Sequence, residues 1–322
     1  MQKFISCKTI LLLAGLLYFW LSSTAQAADR VVVIPMASAK PLKNIVTVAK
    51  GNGNFTNPVA AMNSITDASA TNPYLVLIAP GTYTLTTTLV MKPYVDISGS
   101  GEYITKLAGA ISSTDTTTSA IVKGANHATL SNLCISNTGG NSCSIGIYTT
   151  GLDFSARLQQ VLVTVSGGSG FTFGICNTVH SSPIMTDVNV IVQGGVDGFN
   201  FGVLNQDYSS PIMTRVNTVA QGGHWNYGVN NSDHSSPIMT DVNTAAPGGG
   251  TTYKNYGVYN VTSSSPQIRR STLAGHDNGL VHFNSATATI SQSTILNGVS
   301  GGGYSCVACD NGVGAALNAT CL

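Results

Sequence analysis

The chain has 322 residues, with 14 Lys and Arg against 13 Asp and Glu, a net charge of +1. Charged residues make up only 8% of it while glycine supplies 35 positions. The charge balance excludes a general nucleic-acid or anionic-membrane binder, which needs a basic excess, and the glycines exclude a helical repeat.

Residues 1–27 read as a secretory leader. Lys3 and Lys8 precede an apolar run from Ile10 to Leu21, and Ala25-Gln26-Ala27 supplies small residues for cleavage. The run is too short for a comfortable bilayer span, and no other stretch is apolar enough to make one. Cleavage removes two lysines and no acid, leaving a slightly acidic mature chain. The expectation is a soluble exported protein: secreted, or periplasmic or cell-surface in a bacterium. Residues 28–44 read as a linker.

From residue 45 the chain becomes regular. Val46 to Thr56 reads Val-Thr-Val-Ala-Lys-Gly-Asn-Gly-Asn-Phe-Thr, followed by Pro58-Val-Ala-Ala-Met62 and Val76-Leu-Ile-Ala-Pro-Gly-Thr-Tyr83. Leu89 and Val90 come next, then Val95-Asp-Ile-Ser-Gly-Ser-Gly101. This stretch resembles the N-terminal portion of pectin methylesterases, and the same pattern occurs among other pectin-lyase-like β-helix proteins. The resemblance spans residues 45 to 109 only. It implies a β-helix whose first coil is covered by a short helix around Val59 to Ile65. The family's catalytic segments, Gln-Asp-Thr-Leu, Asp-Phe-Ile-Phe-Gly and Gly-Arg-Pro-Trp, have no counterpart here. Asp153-Phe-Ser is the nearest fragment, and Trp225 sits in an unrelated His-Trp-Asn-Tyr-Gly. No catalytic residue carries over.

Residues 128–295 hold the clear repeats, after a cap and first coils over 45–127. Ser-Ser-Pro-Ile-Met-Thr occurs three times, at Ser181 to Thr186, Ser209 to Thr214 and Ser235 to Thr240, with a degenerate copy from Ser264 to Arg269. With the proline as origin, Leu130, Leu158, Met185, Met213, Met239, Ile268 and Ile290 share one column. Leu133, Val161, Val188, Val216 and Val242 share another. Self-similarity at this period means stacked units, none of which buries its apolar face alone. Units that follow one another in the same sense pair equivalent strands in parallel. The predicted class is therefore all-β: a single-stranded, right-handed parallel β-helix of the pectin-lyase-like type, handedness following the general crossover rule.

A second strand precedes each proline. Phe173, Phe201, Tyr227 and Tyr256 stand just before Gly174, Gly202, Gly228 and Gly257. Strict alternation turns these aromatic residues inward with Ile175. It turns Asn200, Asn226, Asn230, Asn255 and Tyr259 outward, as the lining of a neutral trough. Asn177, Asn205, Asn231 and Asn260 then read as turn residues in the left-handed conformation.

Three further columns carry chemistry. Asn132, Gln160, Asp187, Arg215, Asp241, Arg270 and Gln292 predict a corner ladder of amides and alternating charges. His180, Tyr208 and His234 predict a stacked turn column, a candidate for contact with sugar rings. It is no metal site, since the tyrosine interrupts the histidines. The even set of Cys134, Cys143, Cys176, Cys306, Cys309 and Cys321 suggests disulfides. The favoured bridge joins the Cys306/Cys309 pair to Cys321, and a second candidate joins Cys134 to Cys143. Residues 296–322 read as a glycine- and cysteine-rich closure.

These features predict an exported, non-catalytic β-helix that binds a polysaccharide or a cell-surface protein along its strand face. It needs no cofactor and no metal, and it has no nucleic-acid partner. The alternative is a pectinesterase-like or lyase-like enzyme whose acid and base lie outside known motifs. Asp187 and Asp241 could flank a glycosidic bond, but Arg215 between them holds both ionised.

Overall fold

The computed structural model describes residues 44–140, 142–195, 197–248 and 254–322. The predicted leader over 1–27 and nearly all of the linker over 28–44 lie outside the described residues. Among the described residues no helix is long and apolar enough to cross a membrane.

One repeat shows how a coil is made. Ile184–Gln193 pairs in parallel with Arg157–Ser166 before it and with Ile212–Gln221 after it. Met185 and Val188 are both fully buried, so one residue too many lies between them for a flat strand. The surplus is absorbed at Asp187, whose φ is 54°, and the strand turns a corner there. Asn132, Gln160, Arg215, Asp241, Arg270 and Gln292 turn the same corner in their own coils, with φ between 47° and 57°. The chain then crosses a glycine turn and enters Phe199–Asn205 of the second sheet, between Phe171–Thr178 and Trp225–Asn231. The larger sheet holds 16 strands and the second 10. Apart from a short antiparallel contact of Ser112 and Ser113 with Ser144 and Cys143, the ladders between coils are parallel, as a chain winding in one sense requires.

The Ser-Ser-Pro turn has a hydrogen-bonding logic. The first serine of each pair is buried and serves the coil before it: Ser181 N–H donates to Ser209 Oγ and Ser209 N–H to Ser235 Oγ, both at 3.0 Å. The second serine serves the coil after it: Ser210 N–H donates to Ser182 Oγ and Ser236 N–H to Ser210 Oγ. Two opposed hydroxyl ladders thus clasp the coils that carry this turn to one another. Proline has no N–H to place, and its carbonyl accepts from the residue that follows the next proline, as Pro183 does from Ile212 at 3.2 Å.

Asparagine plays a different part from the one predicted. Asn177, Asn205, Asn231 and Asn260 are fully buried at the ends of their strands, outside the left-handed region. Each amide donates to the next: Asn177 Nδ2 to Asn205 Oδ1 at 2.8 Å, Asn205 to Asn231 at 2.8 Å, Asn231 to Asn260 at 2.7 Å. Thr149 Oγ1 donates into the top of the column at 2.6 Å. A buried amide needs partners, and an identical residue one coil away supplies them. The left-handed residues are the pairs two and three places later, such as Asp207 and Tyr208 or Asp233 and His234.

The ends are closed differently. At the start, Pro58–Ser64 is the expected short helix, capped by Asn57, whose side chain accepts from the amides of Val59 and Ala60, and it buries Ala61 and Met62. At the finish, Val299–Ser300 pairs with Leu280 and Val281, and Tyr304–Val307 pairs with Ala288–Ser291. The coil therefore continues past residue 295, the boundary drawn from sequence. Cys306 and Cys321 are bridged, tying the last residues back across a separation of 15, and Cys309 is a free, buried thiol beside them. Cys134 and Cys143 are also free. Their expected bridge does not form because Cys134 belongs to the larger sheet and Cys143 to the second.

Candidate functional site

The glycine in each second-sheet strand decides which side chains face out. A Cβ on Gly174 would lie 2.1 Å from Val190 Cγ1 and 2.5 Å from the Gly202 carbonyl, so this position presses into the core. Ile175, the next residue, also faces the core. Two consecutive inward positions reverse the alternation, and everything before the glycine faces opposite to the strict reading.

Asn200, Asn226 and Asn255 therefore do not line a trough. They are interior, with Asn200 Nδ2 donating to Asn226 Oδ1 at 2.9 Å and Asn226 Nδ2 to Asn255 Oδ1 at 2.7 Å. Asn255 in turn donates its backbone N–H to Asp277 Oδ2 at 2.7 Å. The outward places belong to aromatic rings. Phe173, Phe201, Tyr227 and Tyr256 form one column, and Phe171, Phe199 and Trp225 form a second beside it. Cys176, Leu204, Asn230 and Tyr259 form a third, so these last two predicted residues do face outward. These side chains make an apolar cluster separate from the interior core.

The rings follow the coil spacing of about 4.8 Å. Phe173 and Phe201 stack at 5.0 Å, Phe201 and Tyr227 at 5.2 Å, and Tyr227 and Tyr259 at 5.3 Å. Phe171 stacks on Phe199 at 5.3 Å, and Trp225 tilts against Phe199 at 4.8 Å. Phe171 is 44% exposed and Phe199, Trp225, Tyr256 and Tyr259 are half-buried, whereas Phe173, Phe201 and Tyr227 in the central column are buried. Burial raises the phenols of Tyr227, Tyr256 and Tyr259 above the usual tyrosine range, so they remain hydroxyl donors at any working pH. The sequence reading missed this aromatic face. The signal was present, in the glycine written directly after each aromatic residue.

His180, Tyr208 and His234 stack as a turn column, with centroids 5.2 Å and 4.8 Å apart and rings parallel to within 8°. All three are exposed. They lie in the turns that follow the second-sheet strands, so they form one rim of the aromatic face and not its floor. The opposite rim carries Asp197, His224, Lys254 and Asp277, where the strands begin.

A groove of about 680 Å³ lies elsewhere, between Gly101 to Ile104 and the corner ladder. Arg215 grips Asp187 with two hydrogen bonds, of 2.5 and 2.9 Å, and Arg270 grips Asp241 at 2.8 and 2.9 Å. These guanidinium bonds hold both carboxyls below the usual range, so neither can act as a general acid near neutrality. All four side chains are substantially exposed, so the pairs contribute little stability singly. Replacing Arg215 with Asp sets three acids in successive coils, whereas Arg215→Ala only removes a partner. The expected result is a lower unfolding midpoint for Arg215→Asp than for Arg215→Ala at low salt, the gap narrowing as salt is added. Equal midpoints at low salt would refute the alternating column.

Among the described residues no cluster of three or more His, Cys, Asp or Glu side chains could hold a metal ion. No carboxylate lies among the outward rings. The arrangement offers stacking surfaces and hydroxyl donors, with no acid–base pair.

No family model matches the sequence, and no curated protein sequence matches it. Solved structures do. Pectin methylesterase from carrot superposes with a TM-score of 0.58, at 13% identity over 81% of this chain and 88% of that one. The pectate lyase Pel9A gives 0.53, at 14% identity over 78% of this chain and 69% of that one. A pectin methylesterase in complex with a hexasaccharide gives 0.50, at 13% identity over 79% of each chain. The fold is the pectin-lyase-like parallel β-helix. Within that β-helix, identity this low speaks for the backbone path alone.

Proposed function

We propose that this is an exported, non-catalytic β-helix that binds an extended polysaccharide along the outer face of its second sheet. The observation that carries the reading is the aromatic face, whose rings repeat at the coil spacing and so present a strip rather than a pocket. A strip of repeated weak contacts suits a polymer, because each further unit engaged adds to affinity. The hexasaccharide bound by one structural neighbour shows that this backbone can hold a saccharide chain in that protein. The apolar run before residue 27 supports export. The outward strand positions of the described aromatic columns carry rings, a thiol, an amide and apolar side chains rather than an acid–base pair, which supports binding without turnover.

The expected result is that the purified protein releases neither methanol nor reducing ends from methylated pectin, in acid or alkaline buffer, with or without calcium. Its affinity for soluble oligosaccharides should rise with chain length. Turnover abolished by Asp187→Asn or Glu102→Gln would overturn the non-catalytic reading. Failure to bind any polysaccharide would overturn the proposed site.

A further inference from the structure

Resting on that reading, we propose that the tyrosine- and tryptophan-bearing half of the face binds an uncharged glycan, by the C–H faces of its sugar rings, and discriminates against a polyuronate. Charge decides between the two. A polyuronate brings one carboxylate per ring, and a surface that holds it needs cations at a matching spacing. Here the two rims carry Asp197, Asp207, Asp233 and Asp277, and among the described residues the lysines near the outward strand positions are Lys254 and Lys123. Lys123 lies over the Tyr148 ring, 5.9 Å from its centroid, at the far end of the face. The acids outnumber the lysines, so a polyanion is repelled along most of the strip, most strongly at low salt.

The face is also graded along the stack. Its early coils present Phe171 and Phe199, and its later coils present Trp225, Tyr256 and Tyr259, while Phe173, Phe201 and Tyr227 are buried between them. The early end also carries a phenol, Tyr148, but it is buried, so among the described residues the later half is where partly exposed rings and hydroxyl groups meet. A neutral sugar ring needs both, with an apolar face to stack and hydroxyls around its edge to pair. Tyr256 and Tyr259 are 5.7 Å apart with rings 28° from parallel, and Tyr259 is stacked on Tyr227. The half-buried rings of Trp225, Tyr256 and Tyr259 thus form a shallow platform, with the buried Tyr227 ring packed against the two tyrosines as its support.

Trp225 allows a direct test. Trp20 and Trp225 are the only tryptophans in the chain, so a Trp20→Phe protein reports on this platform alone. The probes are a soluble neutral β-glucan, a neutral xylan and polygalacturonate, titrated at low salt while indole emission is followed. At least one neutral polymer should change the emission saturably, and polygalacturonate should not. Tyr259→Ala should weaken that binding about tenfold, the loss expected for one stacked ring, while Tyr259→Phe keeps most of it. Thermal melts of both variants exclude unfolding as the cause. Saturable binding of polygalacturonate without either neutral polymer would overturn the ligand class and leave the site standing. No response to any polymer would overturn both.

Discussion

Replacing Asn205 with Leu should lower stability by roughly 2–6 kcal/mol, from two buried polar groups left unpaired at about 1–3 kcal/mol each. Asn205 is fully buried, accepts from Asn177 Nδ2 at 2.8 Å and donates to Asn231 Oδ1 at 2.8 Å. Leucine keeps the branching of asparagine but its methyl groups are bulkier than the amide atoms, so the loss combines the broken ladder with a packing cost in this buried site. A donor above and an acceptor below face a methyl group, and no water reaches either. The outer ladder supplies the control. Asn217 makes the same two bonds, donating to Asn189 and accepting from Asn243, both at 2.9 Å, but it is exposed. Water replaces its partners, so Asn217→Leu should cost a few tenths of a kcal/mol, as ordinary surface substitutions do. Urea melts of the two variants decide the matter: equal losses would show that burial of the amide column does not hold the coils together.

The same column predicts how the protein responds to acid. It ends at Asn260, whose Nδ2 has no partner, and the residue paired with Asn260 in the next coil is His282, whose Nε2 has none either. His282 is 5% exposed, has Nδ1 2.9 Å from the Gly302 carbonyl and packs against Tyr304 at 4.1 Å. With Nδ1 as the donor to that carbonyl, Nε2 carries no proton. Burial lowers its pKa to about 4, with the Gly302 carbonyl opposing the shift only in part. In the unfolded chain the ring titrates near its ordinary value of 6.5. Because the folded value is the lower one, the unfolded state takes up the proton first. Stability is complete above pH 6.5 and falls as pH drops towards 4, where the folded protein also binds the proton. The loss across that window is roughly 3 kcal/mol at one pKa unit per 1.36 kcal/mol. His282→Asn removes the titration and offers Asn260 an amide to donate to. Its melting temperature should stay level across the window while that of the parent falls. Parallel falls in the two proteins would place the acid lability elsewhere.

The sequence revealed the stack because its period was written three times almost without change. Met185, Met213 and Met239 pair in register and are all fully buried, as their shared column required. The Asp187–Arg215 and Asp241–Arg270 contacts were legible for the same reason, since residues at equal places in successive coils must meet. What misled was the geometry within a coil. Alternation assumes a flat strand, and neither strand is flat. The larger sheet spends one residue on the corner at Asp187, where a charged side chain accepts a left-handed φ that sequence statistics assign to glycine or asparagine. The second sheet spends one on Gly174 and its equivalents, and that single step exchanged Asn200 for Phe201 as the outward residue. Cys134 and Cys143 looked close along the chain, yet a full corner of the solenoid separates their sheets.

The charge column and the hydroxyl and amide ladders keep different time. The central coils all repeat the serines and the buried asparagine, so those ladders close again if one of these coils is removed. The corner column alternates, acid then base, and returns to its start only after two coils. Loss of the coil that carries Arg215 would bring Asp187 against Asp241, whereas loss of that coil and the next would bring Asp187 against Arg270. Within the stretch from Asp187 to Arg270, gain or loss of two coils together therefore keeps acid against base. Steps of one unit leave a like-charge seam, which gives the array a parity that its hydrogen bonds alone do not impose.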